Sequence, residues 1–375
     1  MKTQLIFHLL ICLVFALSLR AEETQAKLQI INASKEKVSI LWLKSSTEEI
    51  PNKDIAPGSH AVIDTTLGHR FAILGQQSKT RTEITSEVVV QAFRYAPDEK
   101  DAIPDFYTQR VKAGGFPIVA SATVNPYALK EASYLVNLML IKRTDVREAM
   151  IKSGARLCII AYNEYTTDLP EFHRFITDFK SPYPHVSSKD YWDARARGTG
   201  GSVTDPYCTC GEENLLGYPG DPYEKESILI HEFAHNIHLR GMLNVDPSFD
   251  TRLEKAYQEA MAKGLWKDKY AATNRFEYFA EGVQSWFNNN RENDHDHNHV
   301  NTRKELIEYD PVLAAFCKEV FVDTDFTYTK PSTRLTGHLQ GYDPTKAPTF
   351  QWPARVQAAK EAIKKADIEA DQPAK

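Results

Sequence analysis

Short apolar segments separated by turn residues dominate the first part of the chain. They alternate between apolar and polar positions or are apolar throughout, and asparagine, proline and glycine residues separate them. Strands of this length at a spacing of about 8–12 residues are typical of a small antiparallel sandwich. We therefore predict a β-sandwich domain over residues 27–95. Its predicted strands lie at 28–31, 38–42, 61–63, 71–74 and 88–93.

The pattern changes after a polar segment with two prolines at 96–106, which we interpret as a linker. Apolar strands are predicted at 116–120 and 157–161. Between them, Asn125 and the proline that follows it predict the start of a helix, with apolar residues at helical spacing behind them. The order strand, helix, strand indicates one α/β layer.

The remaining segments differ in regularity. Residues 165–223 have little periodicity, and within them we interpret the glycine-rich segment 195–201 as a mobile loop. From residue 224 onward the pattern is helical, up to a charged tail at 353–375 that we expect to fray. Together these patterns predict an α+β protein, in which the sandwich is followed by a mainly helical domain with a small sheet at 107–352.

The first 21 residues have the layout of a secretory signal peptide. Lys2 precedes an apolar run from Leu5 to Leu19, and small residues then lead to Glu22. The run is shorter than the roughly 20 residues that a membrane-spanning helix needs. We expect a secreted, periplasmic or extracellular protein without stable membrane insertion, with an uncleaved anchor as the alternative.

Composition narrows the classes of function. The 375 residues are 42% hydrophobic, as in a globular chain, and their formal net charge of −5 gives no electrostatic footprint for nucleic acid. Four of the five cysteines follow the signal peptide, and they could form two disulfides or remain free. These are Cys158, Cys208, Cys210 and Cys317. The sequence carries no signal for an oligomeric state.

A zinc-site pattern, H-E-x-x-H, starts at His231. We predict that Asp221 caps the helix that carries the pattern and that Gly241 ends it. His231 and His235 are four residues apart, so on a helix both imidazoles lie on one face and can reach one ion. Glu232 would then lie beside the metal, where it can take a proton from zinc-bound water.

A second helix should provide the third ligand. We predict that it begins after a cap at Thr273 or Asn274. Glu277 and Glu281 are four residues apart on one face of this helix, among apolar residues where a carboxylate needs a partner. Either glutamate could bind the metal while the other accepts a hydrogen bond from a ligand histidine.

These two motifs resemble the catalytic domain of zinc metallopeptidases of the anthrax lethal factor type. The resemblance rests on the H-E-x-x-H pattern and on an E-Y-F-A-E segment that begins at Glu277. It also rests on Tyr270, which precedes Glu277 by seven residues. It implies that His231, His235 and Glu277 hold one Zn²⁺ per chain, with Glu281 beside a ligand. It also implies that Tyr270 donates to the developing oxyanion and that the chain is a hydrolase acting on peptides or proteins.

The upstream segment is similar to the β domain of the von Hippel–Lindau tumour suppressor, a sandwich that binds hydroxyproline peptides. The matching residues are Trp42, Leu43, Glu48, Pro51, Pro57, Gly58, Ile63, Gly68 and His69. At the family's binding pocket His69 matches a histidine, and Phe71 replaces a tryptophan. Asn52 and Asp64 depart from the pattern. The resemblance implies the sandwich fold and a role in binding targets, whereas hydroxyproline is not the expected ligand.

Two functions remain open at this point. The first is an exported zinc-dependent endopeptidase whose N-terminal β domain binds the target. The alternative is an extracellular binding protein with a catalytically silent zinc domain. Glu232 and Tyr270 favour the enzyme, because a purely structural zinc site uses neither. We also predict an edge strand for extended substrate within 207–216. We interpret residues 294–299, which include His295, His297 and His299, as an exposed insertion, with a metal-sequestering tract as the alternative.

Overall fold

A computed structural model describes residues 24–99 and 102–370 of the chain. The predicted signal peptide and residues 100–101 of the predicted linker lie outside the described residues. Within these ranges, no helix combines the length and the apolar composition that crossing a bilayer requires. The strands are β1 (Gln25–Asn32), β2 (Val38–Leu43), β3 (Glu49–Ile55), β4 (His60–Thr66), β5 (Arg70–Gly75), β6 (Arg81–Thr85), β7 (Val90–Tyr95), β8 (Gln109–Ala113), β9 (Phe116–Ala120), β10 (Arg156–Ile160), β11 (Gly198–Thr199) and β12 (Tyr207–Gly211).

The helices lie mainly in the second part of the chain. They are α1 (Pro126–Met139), α2 (Thr144–Lys152), α3 (Arg174–Thr177), α4 (Ser188–Arg195), α5 (Glu212–Leu216), α6 (Ile228–Asn236), α7 (Leu243–Val245), α8 (Phe249–Ala262), α9 (Arg275–Trp286), α10 (Arg303–Tyr309), α11 (Pro311–Phe321) and α12 (Ala354–Ala370). A π-helical segment at Ile237–Met242 joins α6 to α7. The mixed α+β composition agrees with the predicted class.

The N-terminal strands form two sheets around one core. One sheet has the order β4-β1-β7 and the other the order β3-β2-β5-β6. Leu28 and Ile30 of β1 pack in a single buried cluster with Val38, Ile40 and Ile73 of the other sheet. The predicted purely antiparallel arrangement is wrong for one pair, because β7 runs parallel to β1. The chain crosses to the first sheet after β6 and enters beside β1 instead of forming a hairpin.

The five predicted strands of the sandwich are confirmed. Two further strands, β3 and β6, were not predicted. β3 and β6 are the outer strands of their sheet, paired on one side with β2 and β5 respectively. Most residues of both strands are polar and at least partly exposed, and β3 contains Pro51. Edge strands tolerate proline and charge because one of their sides faces solvent, so they lack the apolar alternation that reveals inner strands.

A mixed sheet with the order β11-β12-β10-β9-β8 organises the second part of the chain. β9, β10 and β12 are parallel, whereas β8 and β11 run antiparallel at the two edges. The predicted strands at 116–120 and 157–161 are confirmed as β9 and β10. The side chain of Asn125 accepts the N–H of Tyr127 at 3.0 Å and caps α1 as predicted. The four described cysteines are buried free thiols.

The C-terminal helix α12 packs against α4 instead of fraying. Val356 and Ala359 are buried in a cluster with residues of the α4 region. Arg355 pairs with Asp190 at 2.7 Å and Asp193 at 2.8 Å. The predicted fraying of the 353–375 tail is therefore wrong for the helix. The buried Val356 and Ala359 and the half-buried Ile363 recur at helical spacing on one face, which an overall charged composition conceals.

The sandwich and the second part of the chain have separate hydrophobic cores but share backbone contacts. The N–H of Val90 donates to the Oδ1 atom of Asn244 at 2.6 Å, and the Asn244 amide donates to the Val90 carbonyl at 3.1 Å. The N–H of Ala92 donates to the carbonyl of Ser153 at 3.0 Å. These bonds fix β7 on α7 and on the end of α2. The predicted domain boundaries stay predictions.

A buried carboxyl joins three elements of the second part of the chain. The Glu212 side chain accepts the N–H of Asn125 at 2.7 Å and the N–H of Tyr162 at 2.8 Å. Burial raises the pKa of Glu212 to about 7. The folded state therefore keeps a proton that the unfolded chain releases near its ordinary pKa of about 4.3.

We expect Glu212→Gln to reduce the pH dependence of stability. From about pH 4.5 to pH 7 the contribution of Glu212 to the free energy of unfolding should fall by up to about 3 kcal/mol as pH rises, because the unfolded state releases the proton first. The variant carries no titrating group at this position, so its free energy of unfolding should fall less. Urea unfolding at both pH values measures the difference, and Glu224→Gln at an exposed position is the control. Identical pH slopes in wild type and Glu212→Gln would contradict the prediction.

Candidate metal centre

The helix that carries the H-E-x-x-H pattern has other limits than predicted. It begins at Ile228, because the Oδ1 atom of Asp221 accepts the N–H of Tyr223 at 2.9 Å and holds a turn there instead of a helix cap. The chain also stays helical beyond α6, because the π-helical segment passes through Gly241 and leads into α7. A Cβ atom at Gly241 would lie 2.6 Å from the side chain of Val146, so this glycine permits close packing against α2.

Three side chains converge between α6 and α9. The Nε2 atoms of His231 and His235 are 3.2 Å apart, and they lie 3.1 and 3.3 Å from the Oε2 atom of Glu277. Ligands at about 2.0–2.2 Å around a tetrahedral zinc ion are roughly 3.3–3.5 Å from one another. Two imidazoles and one carboxylate are also a donor set that zinc prefers. These three residues therefore fit a zinc ion.

Local signals on α9 place the third of these side chains. The side chain of Asn274 accepts the N–H of Phe276 at 2.8 Å and that of Glu277 at 3.0 Å. Of the two predicted caps, Asn274 is therefore the one that begins α9. Glu277 lies in the first turn of the helix, and Glu281 lies one turn further along the same face.

The second nitrogen of His231 is held by a residue that the sequence analysis missed. Its Nδ1 atom lies 2.8 Å from the Oε1 atom of Gln284, whose amide donates to Glu226 at 2.9 Å. This orientation makes Nδ1 the donor and leaves Nε2 free to bind a metal. Glu281 is further away, 3.5 Å from the same nitrogen. Gln284 follows Glu277 by seven residues, and that spacing on one helix face was the available signal.

The prediction that the histidine-rich tract at 294–299 is exposed is wrong for part of the tract. His295 is exposed, but His297 is 5% exposed and packs against α9. Its Nδ1 atom lies 2.8 Å from Asp294, and its Nε2 atom lies 3.3 Å from the Oε2 atom of Glu281. The amide of Asn290 donates to the same Glu281 oxygen at 2.9 Å. Glu281 thus holds this segment on the helix that carries Glu277.

Glu232 and Tyr270 line the cleft that contains the three converging side chains. Burial raises the pKa of the Glu232 carboxyl and so favours its protonated form. A positive charge nearby would keep the carboxyl ionised and able to accept a proton. The ring of Tyr270 lies 6.2 Å from that of His231. Burial and the charge of Glu277 raise the pKa of Tyr270 above its usual value, so its hydroxyl keeps its proton and can donate a hydrogen bond.

The wall of the cleft opposite α9 is β11, at the edge of the mixed sheet. A Cβ atom at Gly198 would lie 2.8 Å from the Glu232 side chain, and one at Gly200 would lie 2.3 Å from the Cβ atom of His235. The two glycines therefore allow the backbone to touch α6. The predicted edge strand at 207–216 is wrong, because β12 is buried between β11 and β10 and residues 212–216 form α5.

A buried ion pair holds this wall in place. Arg197 is 1% exposed and donates to the carboxylate of Glu213 at 2.6 and 2.8 Å. Its guanidinium also donates to the carbonyls of Ala161 and Glu164. The prediction of a mobile loop at 195–201 is therefore wrong. Glycine content suggested mobility, whereas these glycines serve close packing.

We expect Gly200→Ala to weaken zinc binding and any zinc-dependent activity by at least about tenfold. The added methyl would collide with His235, and overpacking of this kind costs about 1–3 kcal/mol. Competition with a chromophoric chelator measures zinc affinity, and Ser202→Ala at the end of the same segment is the control. Wild-type zinc affinity in a folded Gly200→Ala protein would show that the backbone after β11 does not restrain the His235 side chain.

The sandwich brings together part of its predicted binding surface. The rings of Trp42 and His69 are 5.1 Å apart, and the hydroxyl of Thr65 lies 3.0 Å from the Nδ1 atom of His69. Asp64 is exposed and pairs with Lys27 at 2.6 Å, so no contact joins it to these rings among the described residues. Phe71 is 2% exposed within the core of the sandwich, so it supports the fold and does not offer a contact surface.

Comparison with known proteins adds no relative. No protein-family model matches the chain, and a search of curated proteins gives no significant match. Any function must therefore be inferred from the site itself, where three side chains with metal-binding atoms converge beside the half-buried Glu232 carboxyl and the Tyr270 phenol.

Proposed function

We propose that this protein is an exported zinc-dependent endopeptidase that binds one Zn²⁺ per chain. The observation that carries the proposal is the triangle of ligand atoms from His231, His235 and Glu277, with sides of 3.1–3.3 Å. Glu232 and Tyr270 line the same cleft, where a peptide and a water molecule would meet. Export rests on the sequence pattern of residues 1–21.

The chain's own residues would divide the chemistry between them. Bound zinc would supply Lewis acidity, which lowers the pKa of water and polarises a carbonyl oxygen. Glu232 would accept the proton of the attacking water at its carboxylate and later return it to the leaving amine. Tyr270 would donate a hydrogen bond to the oxygen on which negative charge develops. Gln284 would keep His231 in the orientation that leaves its Nε2 atom free.

The β domain would bind the protein or peptide target. Trp42 and His69 form its aromatic contact surface, with the Thr65 hydroxyl beside them. Tethering a target there would raise its concentration at the cleft without changing the zinc centre. This division of roles involves neither nucleic acid nor stable membrane insertion.

Digestion of a peptide library tests the proposal. The purified protein, loaded with one equivalent of zinc, should cut internal peptide bonds, and a chelator should stop the cleavage. Adding zinc back should restore it. A zinc-loaded protein that cuts no peptide would overturn the enzyme and favour the binding protein.

We expect Tyr270→Phe to lower kcat more than it changes KM. Its hydroxyl would act mainly on charge that develops in the transition state, so ground-state binding needs it less. A loss of about 10²–10³-fold in kcat is typical when one oxyanion donor is removed. Steady-state kinetics on one cleaved peptide gives both constants, and Tyr134→Phe on α1, which does not line the cleft, is the control. An unchanged kcat would remove Tyr270 from the mechanism.

A further inference from the structure

A second groove opens between α4 and α12, next to the zinc cleft. It encloses about 1130 Å³. Much of its lining is aromatic or aliphatic, and one of these side chains, Ile368, is 52% exposed. Clustered exposed apolar side chains are typical of binding surfaces. The apolar residues that line the groove include Tyr183, Tyr191, Trp352, Ile363 and Ile368.

The polar groups around the groove largely satisfy one another. The hydroxyl of Tyr183 donates to Asp367 at 2.8 Å. The amine of Lys360 donates to the carbonyl of Ala194 at 3.1 Å and lies 4.6 Å from the centre of the Trp352 ring. Both signs of charge occur at the rim, so no strong field selects an ion. The charged and titratable residues that line the groove are Arg195, His295, Lys360, Glu361, Lys364 and Asp367.

The groove continues the zinc cleft along one wall. Arg195, at the end of α4, lines both of them. Trp192 lines the cleft, and its neighbour Tyr191 lines the groove. The guanidinium of Arg195 donates to the Tyr191 hydroxyl at 2.8 Å and so joins the two surfaces. A polypeptide that leaves the cleft along α4 would therefore enter the groove.

We propose that the groove binds the part of the substrate that extends beyond the zinc cleft, past Arg195. The inference rests on the proposed function and adds a substrate class to it: extended polypeptides with aromatic or aliphatic side chains several residues from the scissile bond. α12 has 17 residues and is roughly 25 Å long, which corresponds to about seven residues of extended peptide. The aromatic lining supplies contact area for such side chains.

Three sets of peptides that share one cleaved bond test this inference. The first peptide has about six residues, and the second adds about seven residues that contain phenylalanine and leucine, a length set by the extended span of α12. The third has the length of the second but carries serine in place of those apolar residues. Each long peptide is made in two versions, with the extension on the N-terminal or on the C-terminal side of the cleaved bond. The apolar long peptide should exceed the other two in kcat/KM by about tenfold, mainly through KM, when its extension points into the groove.

Ile368→Ser should lower the ratio of kcat/KM between the long and the short peptide by about threefold, because an apolar contact is lost. Ile307→Ser, which changes an isoleucine of similar exposure on α10, is the matched control and should keep the ratio. Equal kcat/KM for all peptides, or equal ratios in Ile368→Ser and wild type, would contradict substrate binding in the groove. Neither result would contradict the proposed peptidase activity.

A different result would separate the two proposals. If the zinc-loaded protein cuts no peptide, the proposed function fails. Fluorescence anisotropy of the labelled apolar peptide then tests the groove as a binding surface. Weaker binding to Ile368→Ser than to wild type or Ile307→Ser would support the groove, and equal binding would overturn it.

Discussion

Glu232→Gln should reduce peptide cleavage by about 10³–10⁴-fold while the protein still binds one zinc per chain. The amide has almost the shape of the carboxylate, so the packing of Gly198 against this side chain should persist. It cannot accept a proton, however, and the attacking water would lose its base. The expected signature is therefore a loss of kcat with zinc content unchanged.

The matched control is Glu224→Gln, which makes the same chemical change at an exposed position in the turn before α6. Zinc content per chain and kcat on one peptide are measured for both variants and wild type. Two results would contradict the assigned role. Unchanged turnover in Glu232→Gln would remove the residue from the mechanism, and loss of zinc would make it a structural part of the site.

Sequence patterns predicted the elements whose burial follows a simple period. β9, β10 and α1 have apolar positions at strand or helix spacing and clear end signals such as Asn125. β3 and β6 were missed because edge strands need no apolar alternation. The packing of α12 was missed because its partner α4 lies about 160 residues earlier, and no local rule reports such a contact.

The same distinction applies to the site. His231 and His235 were predicted because helical spacing places both on one face. Spacing left Glu277 and Glu281 open as the third ligand, and only the resemblance to the lethal factor type pointed to Glu277. The role of Gly200 depends on its contact with His235, which only the folded chain creates. The limits of α6 were wrong because Asp221 forms a turn that uses the same residue types as a helix cap.

Glu277→Ala should weaken zinc binding more than any substitution in the surroundings of the ligands. The variant loses one of three protein ligands, whereas removal of an outer partner typically costs about 10–100-fold in metal affinity. Glu281→Gln is the informative comparison, because Glu281 lies one turn away on the same face and 3.5 Å from the Nδ1 atom of His231. It should cost no more than about 100-fold.

Zinc affinity of both variants is measured by competition with a chromophoric chelator, and circular dichroism checks that the overall helix content is retained. His231→Ala and His235→Ala should match Glu277→Ala, since each removes one corner of the same triangle. A larger loss in Glu281→Gln than in Glu277→Ala would reverse the assignment and make Glu281 the ligand. The geometry argues against that result, because Glu281 is already held by Asn290 while the Oε2 atom of Glu277 lies within 3.3 Å of both histidine nitrogens.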